Sequence, residues 1–396
     1  MRIAIVHDYL NQYGGAEKVV EKWLEMYPNA DVYTTIFVPQ NFKSSDIFTK
    51  TASSHQIHTT WLQYFFKYKF SLKFFKHFFW LYPIVMSFVT LKDYDVVLIS
   101  STYCAKNVQF KNCRKLIHYC HSPVRFLHGL ITDTDHNALN WILKSMIPFF
   151  TFWLKWMDLG AVNNLNKLGC VWIGNSKFIC QTIKDVYKTD SLLIYPPIEI
   201  QKFLKIQRND NLETSRSFYL CHGRVSFHKR LDLAIAACLE LGRSLKIGGT
   251  SSLKMEMDNL KQQVEDYVKI HPEKKGLVEC LGRTTDEQFF DLLKNARGFL
   301  FPGKEDSGIT PLEVFASGTP VIAYQAGGAL EYLIDDENGM FFSDQSVESL
   351  KSVMLRFESK SNWDIENIKN SSKAFSSEVF EENMRAIIGN KIISKI

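Results

Sequence analysis

The chain has 396 residues, 47 Lys and Arg against 42 Asp and Glu, and a formal net charge of +5. That length exceeds one ordinary hydrophobic core and predicts two domains, while so small an excess of positive charge over so long a chain excludes a general nucleic-acid binder. Eight cysteines lie scattered without paired spacing, which excludes a disulfide framework, and no signal segment precedes the first apolar strand, so the expected setting is a reducing cytoplasm.

In chain order, Met1 to Val6 reads as a compact apolar strand. His7 to Tyr13 leads to Gly14-Gly15-Ala16-Glu17, from which a helix runs to about Met26. No acidic residue occurs between Asp46 and Asp93, and Trp61 to Leu91 is crowded with aromatics. Placed on a helix, Lys69, Lys73 and Lys76 share one face, while Phe70, Phe74, Phe75, Phe78 and Phe79 fill the other. Such a helix either lies in a membrane interface, rings inserted and lysines near anionic headgroups, or packs in the core with a solvated face. Phe78 to Leu91, with Pro83 inside, is too short to cross a bilayer.

Asp93 to Ser101 reads as a strand ending in small residues. Lys115 to Cys120 is another, and places His121-Ser122-Pro123 just beyond its end, where parallel α/β sheets hold ligands. His118 has no His or Cys cluster around it in sequence to make half of a metal site. Trp141 to Met157 is a second aromatic stretch that would widen the apolar surface of the first. The polar, aperiodic run between Tyr195-Pro196-Pro197 and Ser217 marks the domain seam.

The second half repeats the alternation. Phe218 to His222 is a strand, followed by Gly223-Arg224, a short loop, Lys229-Arg230 and an amphipathic helix over Leu231 to Leu241; Arg230 serves either a ligand phosphate or the helix start. Lys246 to Gly249 and Leu277 to Arg283 are two further strand-to-turn units, and Gly298 to Pro302 a strand that delivers Glu305 to the sheet edge. In Gly303 to Glu313, Thr310 is the expected N-cap, Pro311 the first helical residue and Glu313 the third position of a capping box. Backbone N–H groups should therefore converge near Ser307, Gly308, Ile309 and Thr310, a natural seat for a phosphate or diphosphate. A short helix ending at Ser317-Gly318, a buried strand from Pro320 to Tyr324 and a glycine turn at Gly327-Gly328 follow. Ser371 to Ile396 reads as a helix with a basic tail. Strands alternating with helices in both halves predict an α/β protein with parallel sheets.

Taken together, Gly14-Gly15-Ala16-Glu17, Tyr119-Cys120-His121-Ser122-Pro123, Gly223-Arg224 with Lys229, and Glu305 to Glu313 followed by a Thr319-Pro320-Val321-Ile322 strand resemble the retaining glycosyltransferases of family 4. The resemblance covers most of the chain and is nearest to bacterial mannosyltransferases of O-antigen and exopolysaccharide assembly. It implies the GT-B fold, two Rossmann-like domains whose parallel sheets face an interdomain cleft. An acceptor domain would span 1–196 and a donor domain 217–370, with residues 371–396 forming a helix that crosses back to the first. It implies Glu305 and His121 as catalytic-site residues beside the donor sugar. Arg224, Lys229, Glu313, Gly308, Ile309, Thr310, Gly15 and Arg283 would bind the donor, and no metal or cofactor beyond the nucleotide-sugar co-substrate is needed.

The implied partners are a nucleotide-diphosphate sugar, with GDP-mannose the first expectation, a glycan acceptor on polyprenyl diphosphate, and the inner face of the cytoplasmic membrane, met through Lys69, Lys73, Lys76, Phe74 and Phe78. No nucleic acid is implied. Neither Asp93-Tyr94-Asp95 nor Asp133-Thr134-Asp135 has the strand-end context of a metal-binding Asp-x-Asp. The loop Val225-Ser226-Phe227-His228 and Tyr103 depart from the family pattern and leave sugar and acceptor open. A nucleotide-sugar 2-epimerase and a non-catalytic glycan-binding subunit are the alternatives.

Overall fold

The computed structural model describes residues 1–42, 45–54, 56–66, 75–130, 141–208, 218–249, 254–306, 308–360 and 362–389. They divide into two compact units, one of residues 1–197 with the segment from Phe380 onward, the other of Ile198–Val379.

In the first unit the strands are Ile3–His7 (β1), Asp31–Thr34 (β2), Ile57–Thr59 (β3), Thr90–Lys92 (β4), Val96–Ser101 (β5), Gln109–Lys111 (β6), Lys115–Cys120 (β7), Val171–Gly174 (β8) and Leu192–Leu193 (β9). Among the described residues, seven form a sheet in the order β3-β2-β1-β5-β7-β8-β9, and β4 pairs with β6. Every pairing is parallel. A parallel sheet covered on both faces needs strands apolar on both sides. Accordingly β1 sends Ala4 and Val6 into one core and Ile3 and Ile5 into the other. Phe380, Met384, Ile387 and Ile388, on the helix Ser377–Ile388, fill part of the second of these cores beside Trp23 and Tyr119.

The second unit contains Phe218–His222 (β10), Ser244–Gly248 (β11), Val278–Gly282 (β12), Ala296–Phe301 (β13), Val321–Tyr324 (β14) and Gly339–Phe342 (β15). They form a parallel sheet in the order β12-β11-β10-β13-β14-β15. Tyr219, Cys221, Leu245, Ile247, Leu300, Ile322, Met340 and Phe342 make one core with the helices Leu231–Leu241 and Val347–Ser359. Both units are Rossmann-like, as a strand-helix alternation on parallel sheets requires.

The amphipathic α-helix expected across residues 69–79 is corrected where it can be followed. Residues 67–74 lie outside the described residues, Lys69, Lys73 and Phe74 with them, and so does the Lys76 side chain. Phe75–Leu81 is a 3₁₀ segment with Phe78 at φ −98°, ψ 16°. The cause is Pro83, which stands at the start of the helix Tyr82–Ser87. It has no N–H to give the carbonyl four residues back and its ring would meet that carbonyl. That carbonyl belongs to Phe79, and the Tyr103 hydroxyl donates to it instead at 2.9 Å.

Candidate active site

In the second unit three strand ends are held edge to edge by their backbones. The Gly223 N–H donates to the Gly248 carbonyl at 3.0 Å and the Gly249 N–H to the Gly282 carbonyl at 2.6 Å. A side chain at Gly249 would collide with the Gly223 carbonyl, so glycine is what lets these turns approach. Beyond Gly223 the chain makes the 3₁₀ turn Phe227–Lys229. Gly303 lets it come close: a Cβ there would lie 2.7 Å from the Lys229 Cα. The result is an ion pair, Lys229 Nζ to Glu305 Oε1 at 2.5 Å, with side chains 15% and 21% exposed. On its other side Glu305 is clamped through its carbonyl, which accepts the Gly328 N–H at 2.8 Å.

The helix that follows corrects the expected capping box. Ile309–Ala316 begins at Gly308, which takes the N-cap position in the left-handed region with φ +66° and ψ 70°. Only a residue without a Cβ adopts this cheaply, so the start moves two residues ahead of Thr310. Thr310 becomes the second helical residue, its side chain caps nothing, and Glu313 lies in the second turn rather than closing a box. The half-buried Ile309 and Thr310 then contribute first-turn N–H groups that no carbonyl of the helix can reach. Gly223 leaves an opening bordered by the Lys229 Nζ and the Thr310 Oγ1, 3.6 and 3.7 Å from where its Cβ would stand.

The structure thus brings Lys229, Glu305, Gly308, Ile309 and Thr310 around Gly223, with half-buried Glu313 one turn along the same helix. Arg224 and Arg283 are exposed on the turns after β10 and β12. Arg230 is claimed by the helix start: its guanidinium donates to Asp232, Nε to Oδ1 at 3.1 Å and Nη2 to Oδ2 at 3.1 Å. Sequence reasoning overlooked His222, at the carboxyl end of β10. Its ring stacks on Phe289 at 3.7 Å and its Nε2 meets the Thr284 Oγ1 at 2.8 Å. Burial, then the Lys229 charge, pushes its imidazole down to about 4, so it is neutral beside that cation. Its position at a strand end was the available signal.

The first unit carries a second group of chemistry-bearing side chains. Gly14 caps the helix Gly15–Met26, and the buried Glu17 returns to accept the Gly14 N–H at 2.9 Å, leaving half-buried Gly15 as the first helical residue. The buried Asp8 accepts from the Ser101 hydroxyl at 3.0 Å and from the N–H groups of Thr102, Tyr103 and Ala105 at 2.7 to 2.9 Å. That carboxylate therefore shapes the turn after β5. Behind the turn, Lys106 is held by Asp158 at 2.6 Å and donates to the Tyr187 hydroxyl at 2.9 Å, while His128 meets Asp158 at 2.9 Å. His121 stands beyond β7, half buried, its Nε2 2.7 Å from the Ser100 Oγ. Among the described residues no group of three His, Cys, Asp or Glu side chains is placed to hold a metal.

Residues 203–374 match the family described as glycosyl transferases group 1. The match lies within the second unit and spans less than half of the chain. The chain is 22% identical over 322 residues to the mouse (Mus musculus) alpha-1,3/1,6-mannosyltransferase ALG2, covering 75% of this chain and 74% of that one. The human (Homo sapiens) protein of the same name is 24% identical over 322 residues, covering 75% and 73%. The fold is that of Anabaena Alr3699/HepE solved in complex with UDP, with TM-score 0.67, 16% identity and coverage of 98% of this chain and 100% of that one. This glycosyltransferase accordingly has the GT-B fold, and the candidate residues of its second unit, from Arg224 to Glu313, all fall within the matched domain.

Proposed function

We propose that this glycosyltransferase is retaining and metal-independent, and moves a hexose from a nucleotide sugar to a glycan carried on polyprenyl diphosphate during assembly of a bacterial surface glycan. The observation that carries this is the Lys229–Glu305 pair beside the first-turn N–H groups of Ile309 and Thr310. When the bond between the anomeric carbon and the phosphate oxygen breaks, its electron pair leaves with the nucleoside diphosphate. A preplaced cation and first-turn amides stabilise charge where it develops. The acceptor oxygen attacks from the same face, and its proton passes to a donor phosphate oxygen. In this reading Glu305 orients the hexose, Glu313 accepts from the ribose hydroxyls, the exposed Arg224 folds onto the diphosphate once it is bound, Arg283 lies by the nucleobase, Gly15 by the diphosphate, and His121 contacts the sugar.

GDP-mannose is the first donor candidate, supported by the mannosyltransferases among the relatives. A UDP-hexose is the second, supported by structures of Alr3699/HepE with UDP and with UDP-glucose. Thermal stabilisation decides between them: a donor at 100 times its dissociation constant adds about 2.7 kcal/mol. Failure of both nucleotides to raise the midpoint would remove the reading.

We also propose that the first unit docks on the cytoplasmic face of the membrane. Trp61, Tyr64, Phe65, Phe78, Phe88, Phe152 and Trp156 are all exposed, and large apolar side chains gathered on one surface mark interaction sites. Phe152 and Trp156 stand one turn apart on the helix Trp141–Lys167, with exposed Lys155 between them. Among the described residues no helix is long and apolar enough to cross a bilayer. Flotation with anionic liposomes at low salt should carry the protein up, and Phe152→Ser with Trp156→Ser should leave it behind; failure of the unaltered protein to float ends this proposal.

A further inference from the structure

We propose that His7 and Ser100 are positioning residues that fix His121 as its Nδ1–H tautomer, so that it offers the donor sugar an N–H rather than a basic nitrogen. The sugar contact rests on the reading above; the tautomer does not.

The argument starts from register. β1 and β5 pair in parallel with His7 beside Ser100, and β5 and β7 with Ser101 beside Cys120, so the ends of three adjacent strands set His7, Ser100 and His121 side by side. A slip of one residue on β5 would turn Ser100 to the other face. His7 Nδ1 lies 3.1 Å from the Ser100 carbonyl oxygen and 3.0 Å from its hydroxyl. A carbonyl oxygen only accepts, so His7 Nδ1 carries a proton. The Ser100 hydroxyl therefore cannot donate to His7. It is fully buried, and a buried O–H that finds no acceptor is destabilising. Its remaining partner among the described residues is His121 Nε2 at 2.7 Å, which must then accept.

A neutral imidazole that accepts at Nε2 holds its proton at Nδ1. Burial, with the charge of His7 second, pushes His121 down to about 3, so the ring is neutral near pH 7 and the tautomer is the open choice. The assignment also survives a change of charge on His7. Its Nε2 faces the Glu17 Oε1 at 3.6 Å, and whether or not that nitrogen is protonated, Nδ1 still donates to Ser100. The buried carboxylate of Asp8 is occupied with the turn after β5 and offers Ser100 no acceptor.

The test is nitrogen-15 NMR of histidine-labelled full-length protein at neutral pH, with the His121 signals identified by their loss in His121→Gln. The expected result is a protonated Nδ1 and a bare Nε2 in the unaltered protein. Ser100→Ala should move the ring toward a tautomer mixture, and Ser100→Thr, which keeps the hydroxyl, should restore it. Hydrolysis of GDP-mannose or UDP-glucose, whichever binds, should fall about 2- to 12-fold in kcat in Ser100→Ala, the worth of one neutral hydrogen bond. KM should stay near its original value, and Ser100→Thr should recover kcat. A proton on Nε2 in the unaltered protein overturns the proposal, as does a Ser100→Ala protein that keeps its tautomer. Unchanged hydrolysis in His121→Gln would instead overturn the sugar contact and leave the tautomer standing.

Discussion

Gly308 is the residue whose replacement should most sharply separate backbone conformation from packing at the proposed donor site. At φ +66° it holds the left-handed conformation, and a Cβ there would collide with the Tyr332 hydroxyl and come within 3.2 Å of the Phe301 ring. Alanine faces two penalties: about 1–2 kcal/mol for the left-handed backbone and about 1–3 kcal/mol for forcing atoms into a packed space. Tyr332 is 5% exposed, and its hydroxyl has no hydrogen-bond partner among the described residues. Removing that oxygen in Tyr332→Phe should thus be near neutral by itself, since an unpaired buried hydroxyl contributes no hydrogen bond to lose. In the double variant the packing penalty should largely vanish while the backbone penalty stays, giving a coupling of about 1–3 kcal/mol. Denaturant unfolding of the four proteins measures it, with nucleotide-dependent stabilisation reporting whether the helix start still binds. Strict additivity would refute the clash, and a Gly308→Ala protein as stable as the original would refute both penalties.

Glu305→Gln should keep its shape but not its charge, freeing Lys229 and lowering transfer about 100- to 1000-fold in kcat, the range seen when one preorganised electrostatic group is lost; turnover near the original would discredit the site. Arg224→Ala should weaken donor binding and slow transfer together, as seen in parallel changes of KM and kcat. Asp158→Asn leaves the Lys106 charge buried without its partner and should destabilise the first unit by about 3–5 kcal/mol, with Lys106→Met in the same chain recovering most of it. Burial by itself raises the Asp158 carboxyl, but Lys106 and His128 more than offset this and hold it below the usual carboxylate range. Its stabilisation is therefore complete above about pH 4, where the unfolded carboxyl has ionised, and is lost as pH falls through the lower folded value. Acid unfolding monitored by tryptophan fluorescence should show that loss in the original and not in the double variant.

Local pattern already located every strand that supports a candidate site residue, because parallel strands buried on both faces read as short apolar runs between turn residues. The helix Leu231–Leu241 has its expected bounds, with Arg230 and Gly242 in left-handed conformations at its two ends. The helix start at Gly308 was misread. Thr310, Pro311 and Glu313 satisfy the local rules of a cap, but the close packing of Gly308 against Tyr332 and Phe301 is a contact between distant parts of the chain. The break at Pro83 was a local signal, and only the partner of its vacated carbonyl, the Tyr103 hydroxyl, comes from another segment.

Residue types, their spacing and the family resemblance they carry were enough to nominate Glu305, Lys229 and His121. What each of them meets was decided only by tertiary structure. The Lys229–Glu305 pair depends on the approach permitted at Gly303, and the line from His7 through Ser100 to His121 depends on the register of three strands far apart in sequence. A hydrogen bond exists only where donor and acceptor come within about 3 Å, and sequence carries that distance only between near neighbours.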